Sequence, residues 1–390
     1  MFELREPSKL SKLIYISPSI FPSQAANSTH VILQVDELAK LYEQVLVIGM
    51  AAKGEGKSEK IQDKLKETYD VNLKNVHFEL CPNFFGFAEN LVIALFSVKF
   101  FLLYKDYNLV TRNIYAAFFG LLLLKKGFLY ETHTVETGFR AVMQRILLRS
   151  KRIRVIVISQ SLKEILVEKY GSDKHTVSVL HDAARPNLLL NNLDKDSFPN
   201  AVNYKNILGY FGALHPGRGI DIIEAMAKQL PNSLFVIFGP TGQNTKFEER
   251  ARTVHSNIHF YGFISHKEIH ENMKRCDILL MPYQNVVSIG KSGSDTSKWM
   301  SPMKMFEYMA AGRPIISSNL PVLKEVLVDK LNALLVTPDD VSEWIEAANL
   351  LQQNLALSNR IASSARSDYE SEYNWCTRAL KLRGLINNVS

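Results

Sequence analysis

The segment from Ser301 to Gly312 carries the strongest local signal for anion binding in the chain. It reads Ser-Pro-Met-Lys-Met-Phe-Glu-Tyr-Met-Ala-Ala-Gly. Ser301 is a good N-cap, Pro302 suits the first helical position, and Gly312 stops a helix after its last apolar residues. The free amides and the positive dipole end of such a helix can hold a phosphate group.

Two charged residues of this predicted helix indicate what it could bind. Lys304 adds a full positive charge in the first turn, beside the free amides. Glu307 lies further along, and its carboxylate can accept hydrogen bonds from two sugar hydroxyls. An ordinary capped helix with Lys304 and Glu307 facing solvent explains the same pattern, so the residues alone leave both interpretations open.

A glycine-rich segment in the middle of the chain is a second candidate for phosphate binding. It runs Gly212-Ala-Leu-His-Pro-Gly-Arg-Gly219, between an apolar run and an amphipathic stretch. Gly212 and Gly217 allow the backbone to approach an anion closely, and Arg218 can donate to phosphate oxygens through its planar guanidinium. Tight turns use the same residues for conformational reasons alone, so the segment is weak evidence by itself.

His133 is the candidate for chemistry in the first half of the chain. It follows a predicted strand in the sequence Glu131-Thr-His-Thr-Val-Glu-Thr-Gly138. An imidazole at the edge of a sheet can donate to a substrate hydroxyl or to a developing charge. A purely structural histidine is the alternative.

One further segment resembles a nucleotide-binding loop without completing it. Residues 51–58, Ala-Ala-Lys-Gly-Glu-Gly-Lys-Ser, nearly match the phosphate loop of nucleoside triphosphatases. Ala51 stands where that loop requires its first glycine. We therefore interpret the match as an exposed polar loop.

The composition predicts a folded, cytoplasmic protein of two domains. Its 390 residues exceed what one hydrophobic core supports, and 46% hydrophobic with 22% charged residues is typical of globular proteins. The chain has three cysteines, Cys81, Cys276 and Cys376, which is an odd number, and they lack the spacing of metal ligands. The N-terminus has no apolar run of signal-peptide length. We expect a reducing compartment, no metal or other cofactor, and no nucleic-acid partner.

A basic stretch in the first half suggests contact with a membrane surface. No acidic residue occurs between Gly138 and Lys163. The cations assigned to this surface are Arg140, Arg145, Arg149, Lys151 and Arg152. A basic amphipathic helix would suit an anionic bilayer, which predicts peripheral attachment at the inner face of the membrane. The alternative is a solvated helix end with cations near its C-terminus.

The pattern of apolar runs predicts an α/β fold with two Rossmann-like, doubly wound domains. Short apolar runs alternate with amphipathic helices from Leu13–Ser17 to Val177–Leu180 and again from Ile207–Phe211 onward. We expect domains at residues 1–190 and 206–365, a linker at 191–205 and a closing helical segment at 366–390. Two open sheets with their strand ends facing a central cleft would bind a ligand there.

The second half resembles the donor domain of the family-4 retaining glycosyltransferases, which have the GT-B fold. Gly209–Asp221 is similar to the first donor loop of the family, in which a basic residue before the last glycine binds pyrophosphate. That likeness implies this role for Arg218. Ser301–Pro314 resembles the hallmark helix, whose glutamate holds the nucleotide ribose, and so implies that role for Glu307.

The same resemblance implies further donor contacts. Segments 257–269 and 276–282 resemble the family's frame around the nucleobase, which implies base contacts from Phe263 and Ile264. The remaining donor-binding residues implied by the likeness are Gly212, Gly217, Ser301, Met303 and Met305.

In the first half, His133 matches the family's cleft histidine, which lies near the transferred sugar. Residues 23–30 take the place of the first strand-to-helix loop, which touches donor phosphate or acceptor. Asn27 and Ser28 stand where that loop has paired glycines, and with His30 they form the implied acceptor-side loop. The final helix, which contains Trp375, resembles the one that crosses back to pack on the first domain.

Two positions depart from the common family pattern. Trp299 replaces a glutamate that contacts the donor sugar, and Ala213 replaces an arginine of the first donor loop. A branch of the family with a Ser-Pro-x-Lys…Glu helix shows the same changes, which implies that Lys304 supplies the second positive charge. The loop 288–298 is then expected to fold over the sugar, with Asp295 as a ligand.

The resemblance implies a metal-independent hexosyltransferase. It would move a sugar from a nucleoside-diphosphate sugar to a glycan or lipid-linked acceptor, with retention, in cell-surface polysaccharide assembly. The alternatives are a non-catalytic nucleotide-sugar-binding subunit, suggested by Trp299 and Ala213, and a GT-B sugar-nucleotide epimerase.

Overall fold

The computed structural model describes residues 12–23, 25–53, 60–83, 88–171, 174–185, 198–240, 248–249, 254–264, 266–288 and 295–389. Residues 54–58 of the segment that nearly matches a phosphate loop lie outside the described residues. Contacts divide the protein into two compact units. Unit 1 comprises Met1–Asp182 and Trp375–Ser390, and unit 2 comprises Ala183–Asn374.

Unit 1 is built on a seven-stranded parallel sheet with the order β3-β2-β1-β4-β5-β6-β7. Its strands are β1 (Lys12–Phe21), β2 (Gln44–Ala51), β3 (Val76–Cys81), β4 (Asn108–Thr111), β5 (Phe128–Thr132), β6 (Ile153–Val157) and β7 (Val177–Val179). Its helices are α1 (Ala26–Leu41), α2 (Lys60–Tyr69), α3 (Glu89–Leu103), α4 (Ile114–Leu123), α5 (Gly138–Arg149), α6 (Gln160–Tyr170) and α12 (Trp375–Asn387), the last numbered by its place in the chain.

Unit 2 is built on a six-stranded parallel sheet with the order β10-β9-β8-β11-β12-β13. Its strands are β8 (Asn206–Phe211), β9 (Ser233–Phe238), β10 (Ile258–Gly262), β11 (Ile278–Met281), β12 (Ile315–Ser318) and β13 (Leu334–Val336). The helices described in it are α7 (Ile220–Gln229), α8 (His266–Arg275), α9 (Met303–Ala311), α10 (Val341–Gln353) and α11 (Leu355–Glu372).

Both sheets are covered on two faces, which explains their sequence pattern. Every residue of β9 and β11 is buried, and apart from Ser233 these strands are continuous apolar runs rather than alternating ones. The strand order reverses beside β1 in unit 1 and beside β8 in unit 2. At such a switch point the following loops diverge and leave a crevice at the carboxyl ends of the strands.

The prediction of two Rossmann-like α/β domains is confirmed. Several strand boundaries differ from the predicted ones. Local sequence patterns do not show how far tertiary contacts extend a strand. β1 continues to Phe21 rather than ending at Ser17, and β13 was not expected. The central cleft stays a prediction.

The boundaries also differ from the expected ones. The units divide after Asp182 rather than near residue 190, and again after Asn374 rather than near 366. The outgoing and returning segments pair directly at this place, with the Ala184 amide donating to the Tyr373 carbonyl at 3.0 Å. The closing segment is two helices, of which α11 packs in unit 2 and α12 in unit 1.

Among the described residues, the helices are too short or too polar to cross a lipid bilayer.

Arg378 joins α12 to the rest of unit 1. It is 2% exposed, and its guanidinium donates to Gln34 Oε1 at 2.5 Å, to Glu131 Oε1 at 3.0 Å and to the His181 carbonyl at 2.9 Å. These partners come from α1, β5 and the segment after β7. A single buried cation therefore connects four parts of unit 1.

We expect Arg378→Leu to destabilise unit 1 by roughly 3–5 kcal/mol, because it leaves the Glu131 charge buried without its main partner. Hydrogen exchange of the β5 amides in increasing urea would measure this. Lys381→Leu is the control, since Lys381 is exposed on the same helix. Equal protection of β5 in the two variants would contradict the assignment.

Candidate functional site

The glycine-rich loop after β8 is held against the segment after β11. Gly217 and Gly219 have φ angles of +81° and +74°, which favour glycine. A Cβ atom on Gly217 would lie 1.9 Å from the Val286 carbonyl oxygen, and one on Gly219 would lie 1.7 Å from the Pro282 carbonyl oxygen. Both glycines are therefore required by turn geometry and by close backbone approach.

Arg218 is positioned between these two glycines. Its NH1 group donates to the Tyr283 hydroxyl at 2.7 Å, and its NH2 group lies 3.5 Å from the Ser288 carbonyl oxygen. Among the described residues its buried Nε has no hydrogen-bond partner. The guanidinium is thus fixed by its two ends and retains an unused donor for an anion.

Lys304 approaches the same loop from α9. Its Nζ lies 4.0 Å from the centre of the Tyr210 ring and 5.2 Å from the centre of the Tyr283 ring. A Cβ atom on Gly212 would lie 2.5 Å from this Nζ, so Gly212 leaves the space in which the ammonium sits. The structure thereby brings together Gly212, Gly217, Arg218 and Lys304, and phosphate binding by them stays a prediction.

Tyr308 ties α9 to the sheet. Its hydroxyl accepts a hydrogen bond from the Phe211 amide at 2.8 Å and donates to the Leu280 carbonyl at 3.2 Å. These are the carboxyl ends of β8 and β11, so the helix is fixed over the switch point. Glu307 precedes Tyr308 and is half-buried.

The start of α9 differs from the prediction. The helix begins at Met303, and Pro302 takes the N-cap position without a side-chain hydrogen bond to the first turn. Ser301 is buried and lies just before the helix. Pro302 lacks an N–H and is extended, so the first turn starts one residue later. Gly312 ends the helix with a φ of +64°, as its residue type indicated.

Burial makes the charged groups of this site costly in the unliganded protein. Burial and the nearby Arg218 lower the pKa of Lys304 well below its usual range, although Glu307 opposes them. Burial also raises the pKa of Glu307 to about 7, against the effect of Lys304. Two cations beside one carboxyl group produce a local excess of positive potential. An entering anion would relieve it.

The other implied donor residues are spread over α9 and the adjoining loops. Met305 is buried in the core and Met303 is half-buried at the helix start. Phe263 is 48% exposed, while Ile264 packs against the core of unit 2. Asp295 accepts hydrogen bonds from the Val287 and Ser297 amides through one oxygen, at 3.1 and 2.9 Å. It joins the two ends of its loop, and a sugar contact from it stays a prediction.

His133 lies at the carboxyl end of β5 with both ring nitrogens engaged. Nδ1 is 3.0 Å from Arg112 NH2, and Nε2 is 2.7 Å from Glu131 Oε1. Because a guanidinium only donates, Nδ1 must accept and Nε2 must carry the proton given to Glu131. Burial, with help from Arg112, lowers the pKa of His133 to about 4. The ring is therefore neutral and fixed in one tautomer.

Glu131 is the centre of this cluster and was missed as a site residue. It is fully buried, and Arg378, His133 and His30 contact the same carboxylate oxygen. Burial raises the pKa of Glu131, but these donors outweigh burial and hold the pKa well below the usual range. The available signal was a charged residue in an otherwise apolar strand that is buried throughout.

The predicted acceptor-side loop is part of a helix. α1 begins at Ala26, so Asn27 and Ser28 lie in its first turn and His30 in the next. Ser28 and His30 are 1% and 2% exposed, and Asn27 is exposed. The Ser28 hydroxyl donates to the Ile20 carbonyl at 2.9 Å, which ties the first turn of α1 to the end of β1. A contact between these residues and an acceptor stays a prediction.

His30 connects Glu131 to the end of unit 1's first segment. Its Nε2 is 3.3 Å from Glu131 Oε1, and its Nδ1 is 3.0 Å from Asp182 Oδ1. Ligand atoms of His30, His133 and Asp182 lie within 4.8 Å of one another, close enough for a metal site. Both nitrogens of His133 are already committed, and the guanidinium groups of Arg112 and Arg378 supply positive charge beside it. The donor set fits a hydrogen-bond network better than a divalent cation.

Comparison with solved structures identifies the architecture that the two parallel sheets form. The structure superimposes on HepE of Anabaena, solved in complex with UDP-glucose, with a TM-score of 0.71, 17% identity and coverage of 97% of this chain and 99% of that one. Sucrose-phosphate synthase of Thermosynechococcus elongatus gives a TM-score of 0.75 with 15% identity and coverage of 97% and 99%. The architecture is thus the GT-B fold.

Sequence comparison adds a family to this fold. Residues 205–354 match the family described as Glycosyl transferases group 1. A segment of 117 residues is 32% identical to TuaH of Bacillus subtilis, named as a teichuronic acid biosynthesis glycosyltransferase, and covers 30% of this chain and 27% of that protein. The curated relatives are matched over 27% to 61% of their own lengths. Residues 205–354 of this chain are therefore similar to the group 1 glycosyltransferases.

The geometry around His133 predicts its titration. We expect its imidazole ¹⁵N shifts to stay those of the neutral Nε2–H tautomer from pH 8 down to about pH 5, because its pKa is about 4. In Arg112→Met the pKa should rise by roughly one unit or more, since the guanidinium no longer opposes protonation. NMR of the imidazole-labelled protein would measure both. A ring that titrates near pH 6.5 in the unaltered protein would contradict this arrangement.

Proposed function

We propose that the protein is a retaining, metal-independent glycosyltransferase of family 4, whose unit 2 binds a nucleoside-diphosphate sugar. The observation that carries this proposal is the convergence of Arg218 and Lys304 on the glycine loop after β8, with Glu307 on the same helix as Lys304. Two half-buried cations favour an anion as ligand, and the neighbouring half-buried carboxylate favours hydroxyl donors. A nucleotide sugar supplies both.

In this proposal the diphosphate lies against the glycine loop and the first turn of α9. The bond between the anomeric carbon and the diphosphate oxygen breaks, and its electron pair leaves with the nucleoside diphosphate. Arg218 and Lys304 stabilise the charge that develops there without reorganising, because Tyr283, Tyr210 and the loop already hold them in place. The leaving phosphate then takes the proton of the acceptor hydroxyl, whose oxygen forms the new bond to the anomeric carbon on the face that the diphosphate left.

Glu307 is assigned to the ribose hydroxyls, and Phe263 with Ile264 to the base. The exposed ring of Phe263 suits stacking on a base, and Ile264 gives it a fixed apolar support. Ser301, Met303 and Met305 are proposed donor contacts around the start of α9, and Asp295 a contact to the sugar. On the side of unit 1, His133 with Asn27, Ser28 and His30 is assigned to the transferred sugar and the acceptor.

The acceptor is proposed to be a glycan or lipid-linked saccharide of cell-surface polysaccharide assembly, in keeping with the teichuronic acid biosynthesis in the name of TuaH. An anionic membrane surface is a further proposed partner, reached from a cytoplasmic location. A non-catalytic binding subunit and an epimerase are less favoured, because the family match is to transferases. Conversion of a UDP-sugar by the pure protein with no acceptor present would revive the epimerase.

Donor binding tests the proposal directly. A nucleotide sugar at about a hundred times its dissociation constant should stabilise the protein by roughly 2.7 kcal/mol. A thermal-shift screen of UDP, GDP and their sugars would identify it. Arg218→Ala and Glu307→Ala should each lower transfer from that donor by roughly a hundredfold. Glu346→Ala, at an exposed position of α10, is the control. Unchanged transfer in both site variants would contradict the assignment.

The raised pKa of Glu307 predicts how donor affinity depends on pH. The carboxylate accepts two hydroxyl hydrogens, whereas the protonated form accepts them less well. Affinity should therefore rise with pH through about 7, by up to about tenfold between pH 6 and pH 8. Isothermal titration calorimetry across this range would measure the rise. Glu307→Gln should abolish it, and a rise that survives in that variant would assign the titration to another group.

A further inference from the structure

The ends of three helices meet on the edge of unit 1 where the strands begin. Helices α3, α4 and α5 each return antiparallel to the parallel strands, so their C-termini lie at this edge. α4 packs against both α3 and α5. Arg152, just after α5, donates to the Leu121 and Leu124 carbonyls at the end of α4 at 2.7 Å.

An exposed apolar surface occupies these helix ends. Leu102 and Leu103 of α3 are 56% and 69% exposed, and Leu122 and Leu123 of α4 are 66% and 48% exposed. We refer to these four residues as the leucine patch. Isolated exposed leucines are common on protein surfaces, but four at adjacent helix ends form a patch that needs a partner.

Cations surround the leucine patch. Asp106 is the only acidic residue between positions 99 and 130. Burial lowers the pKa of Lys126, with Asp106 opposing, which shows that the loops after α4 and α3 are neighbours. The basic residues on these two loops and on the loop after α5 are Lys105, Lys125, Lys126, Lys151 and Arg152. An apolar centre within a basic rim is complementary to the acyl chains and phosphates of an anionic bilayer.

The cations of α5 contribute less than the sequence indicated. Arg140 Nε is 3.1 Å from Glu136 Oε2, and Arg149 Nε donates to the Tyr170 carbonyl at 2.9 Å. Arg152 is occupied with α4 through both terminal nitrogens. Arg145 and Lys151 remain exposed. The basic helix by itself is therefore a partial explanation, since most of its predicted cations have partners within the protein.

We infer that the leucine patch and its basic rim form a docking surface for an anionic lipid bilayer. The leucines enter the boundary between headgroups and acyl chains, and Lys125, Lys151 and their neighbours contact lipid phosphates. This surface uses no residue of the proposed donor site. Docking there would hold the protein at a membrane where lipid-linked acceptors are found. The inference rests on the proposed function in this respect alone.

Vesicle flotation tests the docking surface. The unaltered protein should float with vesicles containing phosphatidylglycerol, and binding to pure phosphatidylcholine vesicles should be weaker by at least roughly tenfold. Leu103→Ser with Leu122→Ser should lower the partition coefficient by roughly a hundredfold. Lys125→Glu with Lys151→Glu should lower it by at least roughly twentyfivefold, at about fivefold for each cation.

Matched controls use equally exposed residues of unit 2. Leu331→Ser with Leu355→Ser removes leucines that are 52% and 69% exposed, and Lys228→Glu with Lys324→Glu reverses two exposed lysines. These pairs should leave flotation unchanged within twofold. Equal losses in the control and patch variants would overturn the inference, as would flotation that neither patch pair affects.

Two other results would also overturn it. Failure of the unaltered protein to float on anionic vesicles removes the lipid partner. A dimer in solution that Leu103→Ser with Leu122→Ser dissociates would instead make the patch an interface between copies of this chain. Donor-induced thermal stabilisation should persist in both patch variants, so loss of docking and loss of donor binding are separable results.

Discussion

The confinement of two like charges in one partly buried site is the interaction around which unit 2 is organised. Arg218 and Lys304 repel each other and lose hydration, and burial together with Arg218 lowers the pKa of Lys304. The surrounding structure offsets this cost with tyrosine rings, a fixed helix and glycines that leave the required space. Such preorganised positive potential is what a developing diphosphate charge requires, because it needs no movement when the charge appears.

In unit 1 the buried charge is negative. Glu131 is a buried negative charge, and the fold surrounds it with donors from α1, α12 and the segment that follows β5. The network fixes His133 in a neutral tautomer and attaches the C-terminal helix to the sheet. These contacts between two helices and the residues after β5 restrain the carboxyl edge of the strands. It also restricts what His133 can do, because donation to a substrate would require its proton to leave Glu131.

The two open sheets explain why both clusters lie where they do. Parallel strands bring the loops after β8 and β11 to one edge of unit 2, and the residues after β4 and β5 to one edge of unit 1. The opposite edge of unit 1 carries the leucine patch and its lysines. In unit 1 the loops that follow the strands lie at one edge of the sheet, and the loops that follow the helices lie at the other. The same topology therefore separates the polar loops from the apolar and basic surface.

The sequence by itself determined the fold class and identified several residues of the proposed donor site. Hydrophobic periodicity and glycine placement are local properties, so the strands, the loop at 212–219 and the stop at Gly312 could be read from them. The pairing of Arg218 with Tyr283, the commitment of His133 to Glu131 and the insertion of Arg378 beside Gln34 join residues far apart in the chain. No local pattern encodes such contacts. Only the tertiary structure decided them, together with the burial that sets the pKa values of Lys304 and Glu307 and the exposure that leaves the leucine patch uncovered.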